Sequence, residues 1–503
     1  MFRTSSGSSL FGPLRFYRSR WKFAHCVVKS RMVEPSYSIS WSRPMEQRRR
    51  KPRLTVIVGA GATTGAVIAH LRSQRDRSGN PLTEATIKNQ PTYSTRDLTE
   101  KTRRVNGLQV RLLGTSYDSG PRNRPGATMS RVDSDIPVIP WLMRALEAHY
   151  ESPNFEHLLA AIEDLEMFAA NAHNLSVSDE HRTPLSAFFD PWPRHAFLMD
   201  QFMLREARSQ VVASLMEYVP DARHAAASQY RENFDALRKS FDLDVFTLNY
   251  DLLLDAALTL DGETPFDGFT REIESHRSTA RAFDRAGFLT TAQSASCTLI
   301  HLHGCKVFGY AADPTNTVRY DEIVKYPRTG DAVESVIGNL RPEHTQHGEI
   351  LSAGPIISGV NKAAKITATM VPYGYYYQAL GNAISANPRL LMIGYGGSDA
   401  HVNSWIAQFP HIHGRSRRAA IVLGGGASTW LSFTRQTTID RLMDAVDNTI
   451  SPKAVSQRAG LQKITDATLL SHDGFPISAK SIRAIAAFLK QARRNTQGLG
   501  RMR

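Results

Sequence analysis

The chain has 503 residues and a formal net charge of +14, with 42% hydrophobic and 21% charged residues. This length predicts two to four domains, or one large domain with additions, and the composition excludes a largely disordered chain. No run approaches the roughly 18 consecutive apolar residues of a membrane-spanning helix, so we expect no membrane insertion.

The positive charge lies at the two ends of the chain. Residues 1–53 carry 13 Lys/Arg and 2 Asp/Glu, a net of +11, and residues 475–503 carry 7 Lys/Arg and no acid. The segment between them is slightly acidic, at −4. Basic ends can bind nucleic acid or anionic lipid, but solvated ends without a partner are at least as good an explanation. Nucleic-acid binding is therefore expected only through these ends, if at all.

Two features bear on the cellular compartment. The first 33 residues contain seven Lys/Arg and no acid, which is typical of an organelle transit peptide, although a misassigned start is an equal alternative. We treat residues 1–53 as a disordered basic extension. The three cysteines, Cys26, Cys297 and Cys305, form no C-x-x-C pair and cannot build a disulfide framework. A reducing compartment follows by default, and we expect a cytoplasmic protein.

The first half of the chain begins with a β-branched run at residues 54–58, which predicts a buried strand followed by a glycine-rich turn and a helix. Residues 72–135 are polar and rich in Arg, Ser, Thr, Gly and Pro, which predicts long loops with one short helix at most. Residues 136–240 show apolar residues at three- and four-residue spacing. That spacing predicts a helical insertion.

The second half repeats a strand–turn–helix plan. Residues 243–248 and 298–302 are predicted strands, residues 388–409 a strand, turn and helix, and residues 419–425 the last strand. Strands that alternate with helices predict an α/β fold, a Rossmann-like parallel sheet with helices on both faces. Its ligand crevice is expected at the carboxyl ends of the strands. Residues 426–503 are expected to form a helical tail, whose helix either docks on its own domain or binds a surface.

The first strand ends in the sequence GAGATTG at residues 59–65. Glycines there let the backbone approach a phosphate, and the helix start offers free amides. The spacing is neither the dinucleotide fingerprint nor a Walker loop, so a merely tight strand–helix turn remains the alternative. The predicted contacts with a phosphate are Gly59, Ala60, Gly61, Ala62 and Thr63.

Polar side chains also follow the next two strands. Asn249 and Asp251 come after the strand at 243–248; a helix cap is the ordinary role of either, but an Asn there can hold a sugar hydroxyl or a water. His303 ends the HLHG segment and suits an acid or base near neutral pH, with an ordinary hydrogen-bonded histidine as the alternative. No nearby Cys or carboxylate cluster completes a metal site, so no metal is predicted.

The strand before residue 394 ends in a turn of glycines and small polar groups, which could hold a second phosphate or a ribose. The predicted contacts are Gly394, Gly396, Ser398 and Asp399. The histidines that follow, His401, His411 and His413, are expected to be surface or capping residues. The turn is not a serine-hydrolase elbow, because G-x-S-x-G is absent.

In their order and context, the motifs GAGAT, TLNYD, HLHG and IGYGGSD resemble those of the sirtuin family over roughly residues 54–425. The resemblance is closer to the divergent bacterial branch, many of whose members consume NAD in antiphage defence. It implies that the 59–62 turn binds phosphate, that Asn249 faces the nicotinamide ribose with Asp251 beside it, and that His303 is the catalytic histidine. The predicted catalytic residues are therefore Asn249, Asp251 and His303. The 394–399 turn would hold the adenosine half of NAD.

The chain also departs from the protein-deacylating sirtuins. Three cysteines cannot build their four-cysteine zinc module, so no zinc is expected, and the Phe-Arg pair that closes over nicotinamide has no clear equivalent. Both departures count against an acyl-lysine substrate. The resemblance therefore implies hydrolysis of NAD to nicotinamide and ADP-ribose by a defence effector, with NAD as substrate, a homo-oligomeric state and an unknown activator.

Two other functions stay open. NAD-dependent ADP-ribosyl transfer or deacylation would use a macromolecule in place of water, and an acceptor requirement would reveal it. A regulatory module that binds NAD or ADP-ribose without cleaving it would show binding with little or no turnover.

Overall fold

The computed structural model describes residues 51–76, 78–104, 109–115, 131–148, 150, 153–174, 201–275, 278–312, 318–337, 342–344, 350–352, 354–359, 362–367, 371–424, 441–442, 446 and 460–492. The extension predicted for residues 1–53 lies outside them apart from residues 51–53, of which Arg53 begins the first strand. Much of the predicted tail after residue 425 also lies outside them.

The described strands are β1 (Arg53–Val58), β2 (Gln109–Thr115), β3 (Arg131–Pro137), β4 (Asp242–Thr247), β5 (Phe269–Ser275), β6 (Ser278–Phe283), β7 (Cys297–His301), β8 (Phe308–Ala312), β9 (Val318–Lys325), β10 (Pro342–His344), β11 (Ile350–Ser352), β12 (Arg389–Ile393), β13 (Arg418–Val422), β14 (Leu461–Lys463) and β15 (Thr468–Ser471).

The described helices are α1 (Ala60–Ser73), α2 (Glu84–Lys88), α3 (Thr95–Arg103), α4 (Val138–Glu147), α5 (Phe155–Asn174), α6 (Gln201–Tyr218), α7 (Ala227–Arg238), α8 (Leu253–Leu258), α9 (Phe288–Ser294), α10 (Thr329–Val336), α11 (Lys362–Thr367), α12 (Tyr373–Ala386), α13 (Ala400–Ile406), α14 (Gln408–His413) and α15 (Ala479–Lys490).

The main sheet has the strand order β14-β15-β13-β12-β1-β4-β7. All neighbouring pairs are parallel except β14 with β15. Its six parallel strands, numbered as they occur along the chain, stand in the order 3-2-1-4-5-6 of dinucleotide-binding folds. The predicted α/β, Rossmann-like parallel sheet is therefore confirmed.

The alternation of side chains along β1 explains why both faces of the sheet are covered. Leu54, Val56 and Val58 are fully buried in one apolar cluster, with residues of α1, α7, α8 and α15. Ile57, between them, lies in the other cluster, with residues of α5, α6 and α12. Successive strand residues point to opposite faces, so this strand needs apolar partners on both sides.

Two expectations from the sequence are wrong. Residues 72–135 were expected to be loops, but the described part holds α2, α3 and the antiparallel pair β2–β3. The run at 419–425 was expected to be the last strand, but β15 pairs in parallel with β13 and β14 adds to it. β15 is a short strand that is stabilised by its pairing with β13. α3 is a polar helix that begins with a local capping box of Ser94 and Asp97, a signal that the prediction of loops overlooked.

The helical character predicted for residues 136–240 is confirmed in the described part by α4, α5, α6 and α7. Between α8 and α12 the chain also forms an antiparallel four-stranded sheet in the order β5-β6-β9-β8, which the sequence reasoning did not predict.

Candidate functional site

A cavity of about 1020 Å³ opens at the carboxyl ends of the parallel strands. It lies where the strand order reverses, between β1 and β12, which is the usual ligand crevice of such sheets. Small-molecule pockets have volumes of roughly 300–1,000 Å³. The cavity is therefore large enough for a dinucleotide.

Eleven of the twelve predicted site residues line this cavity. They are Gly59, Ala60, Gly61, Thr63, Asn249, Asp251, His303, Gly394, Gly396, Ser398 and Asp399. Ala62 does not line it, because its methyl group is fully buried in the apolar cluster that contains Val58 and Ala66. The prediction for Ala62 concerned the backbone of the turn, and its contact with a phosphate stays a prediction. The four motifs come from distant parts of the chain and share one crevice because they end neighbouring parallel strands.

The two glycine turns pack backbone against backbone. The amide of Gly59 donates to the carbonyl of Ile393, and that of Gly61 to the carbonyl of Gly394. A Cβ on Gly59 would lie 2.7 Å from the Gly394 oxygen, and one on Gly394, whose φ is +59°, would lie 2.1 Å from the Ala62 nitrogen. Close packing alone thus requires these glycines, and they are not by themselves a sign of phosphate binding.

A chain of hydrogen bonds fixes the carboxamide of Asn249. Its Nδ2 donates to Thr63 Oγ1 over 2.9 Å, and the Thr63 hydroxyl donates to Asp251 Oδ2 over 2.7 Å. Because Nδ2 is held by Thr63, the carboxamide oxygen is turned away from that hydroxyl. This oxygen is buried and has no hydrogen-bond partner within the part of the chain that the structure describes. A buried acceptor without a partner is costly, so it is suited to a hydroxyl group or water in the cavity.

Asp251 is the acceptor at the end of this chain of hydrogen bonds. Its second oxygen, Oδ1, accepts a hydrogen bond from the backbone amide of Leu253, the first residue of α8. Each carboxylate oxygen of Asp251 therefore has a hydrogen-bond donor. Burial raises the pKa of Asp251, and the Thr63 hydrogen bond opposes that rise. In the structure Asp251 binds Thr63, which in turn holds Asn249. Asp251 also lines the cavity, and its catalytic role stays a prediction.

His303 faces a second histidine. Its Nε2 lies 3.0 Å from Nε2 of His401 and 3.8 Å from Oδ1 of Asp399. Burial and the nearby Lys362 ammonium lower the pKa of His303 to about 3, and burial lowers that of His401 to about 4. Both rings are therefore neutral near pH 7. The expectation that His401 is a surface or capping residue was wrong, because α13 begins next to the 394–399 turn and carries His401 against His303.

Lys362 connects Asp399 with Glu156 beside this pair of histidines. Its ammonium donates to Asp399 over 3.2 Å and to Glu156 over 2.9 Å. Burial opposes the charge, but the two carboxylates raise the pKa of Lys362. The group near His303 therefore combines one ammonium with two carboxylates, and the ammonium of Lys362 is its positive charge.

The other histidines have different surroundings. His301 is buried, with Nε2 2.9 Å from Asp255, which also receives a hydrogen bond from Lys325. His411 is exposed, as expected, whereas His413 is buried and contacts the carbonyl of Ile384 near the end of α12. His301 thus belongs to a buried ion network and not to the cavity lining.

One wall of the cavity was not predicted from the sequence. Residues 89–98 and the start of α5 line it together with the exposed basic side chains of Arg96, Lys101 and Arg104. These three positions lie in or beside α3, within the segment that was expected to be loop. The clustered basic residues were a signal for anion binding, but without α3 nothing placed them at the crevice.

Comparison with known families matches part of the chain to a described family. A family model described as a SIR2-like domain matches residues 244–432, which supports a sirtuin-like family and an NAD-related function. The matched segment contains Asn249, His303 and the 394–399 turn but not the 59–63 turn. No curated protein matches the chain significantly. The bacterial defence branch stays a prediction.

The length and hydrophobicity of the helices bear on whether the chain could cross a membrane. Among the helices of the described ranges, none combines the length and the apolar character that crossing a membrane demands.

Proposed function

We propose that the protein hydrolyses the bond between nicotinamide and ribose in NAD. The observation that carries the proposal is the joint placement of Asn249 and His303 on one cavity at the reversal of the strand order. The cavity volume suits a dinucleotide, and the Asn249 oxygen, which has no partner among the described residues, offers an acceptor for it. The SIR2-like match to residues 244–432 is consistent with NAD as the substrate.

The chemistry needs an oriented nucleophile more than an acid. As the bond between ribose C1′ and the ring nitrogen breaks, its electron pair neutralises the pyridinium, so nicotinamide leaves uncharged. The ribose then has oxocarbenium character and is attacked by water at C1′, as in other glycosyl transfers. Asn249 Oδ1 accepts a hydrogen bond from a ribose hydroxyl or from the water and so orients it.

His303 takes the proton that the attacking water loses. Its ring is neutral near pH 7 in the free protein, because burial and Lys362 lower its pKa to about 3. The diphosphate of a bound NAD brings negative charge close to the site and raises that pKa, which makes His303 a stronger base when substrate is present. Arg96, Lys101 and Arg104, at the cavity wall, would balance the diphosphate charge.

The direct test compares the purified full-length protein with Asn249→Ala and His303→Ala in an assay for nicotinamide release from NAD. We expect each variant to lose about 100-fold or more in rate, the range expected for general-base catalysis and substrate positioning. His411→Ala, which changes an exposed histidine outside the cavity, is the matched control and should keep the wild-type rate. The same variants expressed in cells with NAD monitored test the activity there.

Other outcomes would assign a different function. Release of nicotinamide only when a macromolecular acceptor is present would indicate ADP-ribosyl transfer or deacylation. NAD or ADP-ribose binding with no turnover, lost in Asn249→Ala, would indicate a regulatory module. An intact NAD pool under every trigger and an Asn249→Ala variant that behaves like wild type would end the proposal.

The role in antiphage defence, the homo-oligomeric state and the activator rest on the resemblance alone. An uncontrolled NAD hydrolase would deplete the NAD of its own cell, so we expect activity to depend on a trigger. Phage challenge of cells that carry the wild type or Asn249→Ala, with NAD followed after infection, tests the defence role. Mass measurement in solution tests the oligomeric state.

A further inference from the structure

Three potential metal ligands meet beside the cavity. One ring nitrogen of His303, one of His401 and a carboxylate oxygen of Asp399 all lie within 4.8 Å of one another. The two Nε2 atoms are 3.0 Å apart, and Nε2 of His303 lies 3.8 Å from Oδ1 of Asp399. Bond lengths of about 2.0–2.1 Å around tetrahedral zinc place neighbouring ligand atoms about 3.3 Å apart. The observed separations lie on either side of that value.

The kind of ligand selects the kind of metal. Two imidazole nitrogens and one carboxylate favour Zn²⁺ and other late first-row ions over Mg²⁺ or Ca²⁺, which prefer oxygen. Three protein ligands leave a fourth position open, as in catalytic and inhibitory zinc sites. The cavity lined by His303 and Asp399 has room for a water in that position.

Lys362 competes for the same carboxylate. Its ammonium lies 3.2 Å from Asp399 Oδ1 and 2.9 Å from Glu156. A divalent ion on Asp399 would be repelled by this charge, although Lys362 could keep its bond to Glu156. The lysine therefore lowers the affinity for a metal without removing any of its ligands.

We propose that His303, His401 and Asp399 form a binding site for a divalent transition-metal ion, best matched by Zn²⁺, and that occupancy inhibits the enzyme. The inhibitory part rests on the proposed function, because a metal on Nε2 of His303 occupies the lone pair that would accept the proton from water. The sequence predicted no metal, because the carboxylate comes from the turn after β12 and the second histidine from α13, both far from HLHG in the chain.

Binding is tested first without NAD. The full-length protein, stripped with a chelator, is titrated with Zn²⁺ against a chromogenic zinc chelator, and with Co²⁺ while the visible absorption is followed. We expect one tight equivalent and the intense Co²⁺ bands of a tetrahedral site. His401→Ala and Asp399→Asn should each weaken binding at least tenfold. Wild-type affinity retained in both variants would overturn the site.

A variant with increased affinity for Zn²⁺ is a useful second test, because misfolding would lower this affinity and not raise it. Lys362→Met removes the competing ammonium but no ligand, so we expect it to bind Zn²⁺ at least tenfold more tightly than wild type. His411→Ala, an exposed histidine in α14, is the control for adventitious binding and should not change the titration. Unchanged affinity in Lys362→Met would contradict the arrangement of charges on which the proposal depends.

The second step separates the site from the proposed function. If NAD hydrolysis occurs, Zn²⁺ should inhibit the wild type at the concentrations that fill the site, and His401→Ala should need at least tenfold more. Hydrolysis that continues with the site filled would refute inhibition. Tight binding of Zn²⁺, together with no NAD turnover by the metal-free protein under every trigger, would instead refute the proposed function and leave the metal site standing.

Discussion

Thr63 holds the carboxamide of Asn249 in one orientation, and Thr63→Val isolates that role because valine has nearly the same shape. The side chain is buried, with 3% of its surface exposed. The substitution removes the hydrogen bond to Asp251, at 2.7 Å, the one from Asn249, at 2.9 Å, and the longer one with the Tyr230 hydroxyl, at 3.2 Å. A bond to a carboxylate contributes about 2 kcal/mol and a neutral one about 1 kcal/mol. We expect the free energy of unfolding to fall by about 3–4 kcal/mol.

The same change should affect the site beyond its stability. Without Thr63 Oγ1, Nδ2 of Asn249 loses its partner and the carboxamide is free to turn. We therefore expect NAD cleavage to fall about tenfold or more, equivalent to about 1.4 kcal/mol in the barrier. The loss of a donor should also raise the pKa of Asp251 further, because that hydrogen bond favours its ionised form.

The comparison that decides the matter is Thr63→Ser. Serine keeps the hydroxyl and removes one methyl group, which costs about 1 kcal/mol. Urea unfolding of both variants measures stability, and nicotinamide release measures activity. If the valine variant is as stable and as active as the serine variant, the hydrogen-bond chain does not position Asn249.

Two further predictions concern stability. Gly394→Ala places a Cβ 2.1 Å from the Ala62 nitrogen at a positive φ, and we expect it to lower the free energy of unfolding by about 3 kcal/mol. Gly396→Ala, whose Cβ would have nothing within 4 Å, should stay within about 1 kcal/mol of wild type in thermal or urea unfolding. Equal losses of stability in the two variants would refute the packing argument. Burial alone would raise the pKa of Asp255, but Lys325 and the neighbouring His301 lower it. The ionised Asp255 therefore contributes its full share of stability above the unfolded pKa of about 3.9, and this contribution is lost as the pH falls through the lower pKa of the folded state. Asp255→Asn should therefore cost about 2 kcal/mol at pH 7, and this difference should shrink only below about pH 4; a loss of equal size at pH 7 and pH 2.5 would contradict the ion network.

The sequence alone determined the elements whose pattern is local. The β-branched run at 54–58 had to be a strand buried on both faces, and the glycine turns had to follow β1 and β12. Parallel strands bring their carboxyl ends to one edge, so chain-local motifs were enough to predict that Asn249 and His303 share a crevice.

Tertiary structure decided what depends on contacts between distant segments. β15 pairs with β13 although its own pattern is weak, because a sheet edge supplies its hydrogen bonds. The approach of His401 to His303, and of Thr63 to Asn249, depends on how helices after two different strands pack above the sheet. These side-chain contacts depend on how the helices are packed against the sheet, which the local periodicity of the sequence does not encode. The sequence therefore predicted the position of the crevice but not the hydrogen bonds and charges within it.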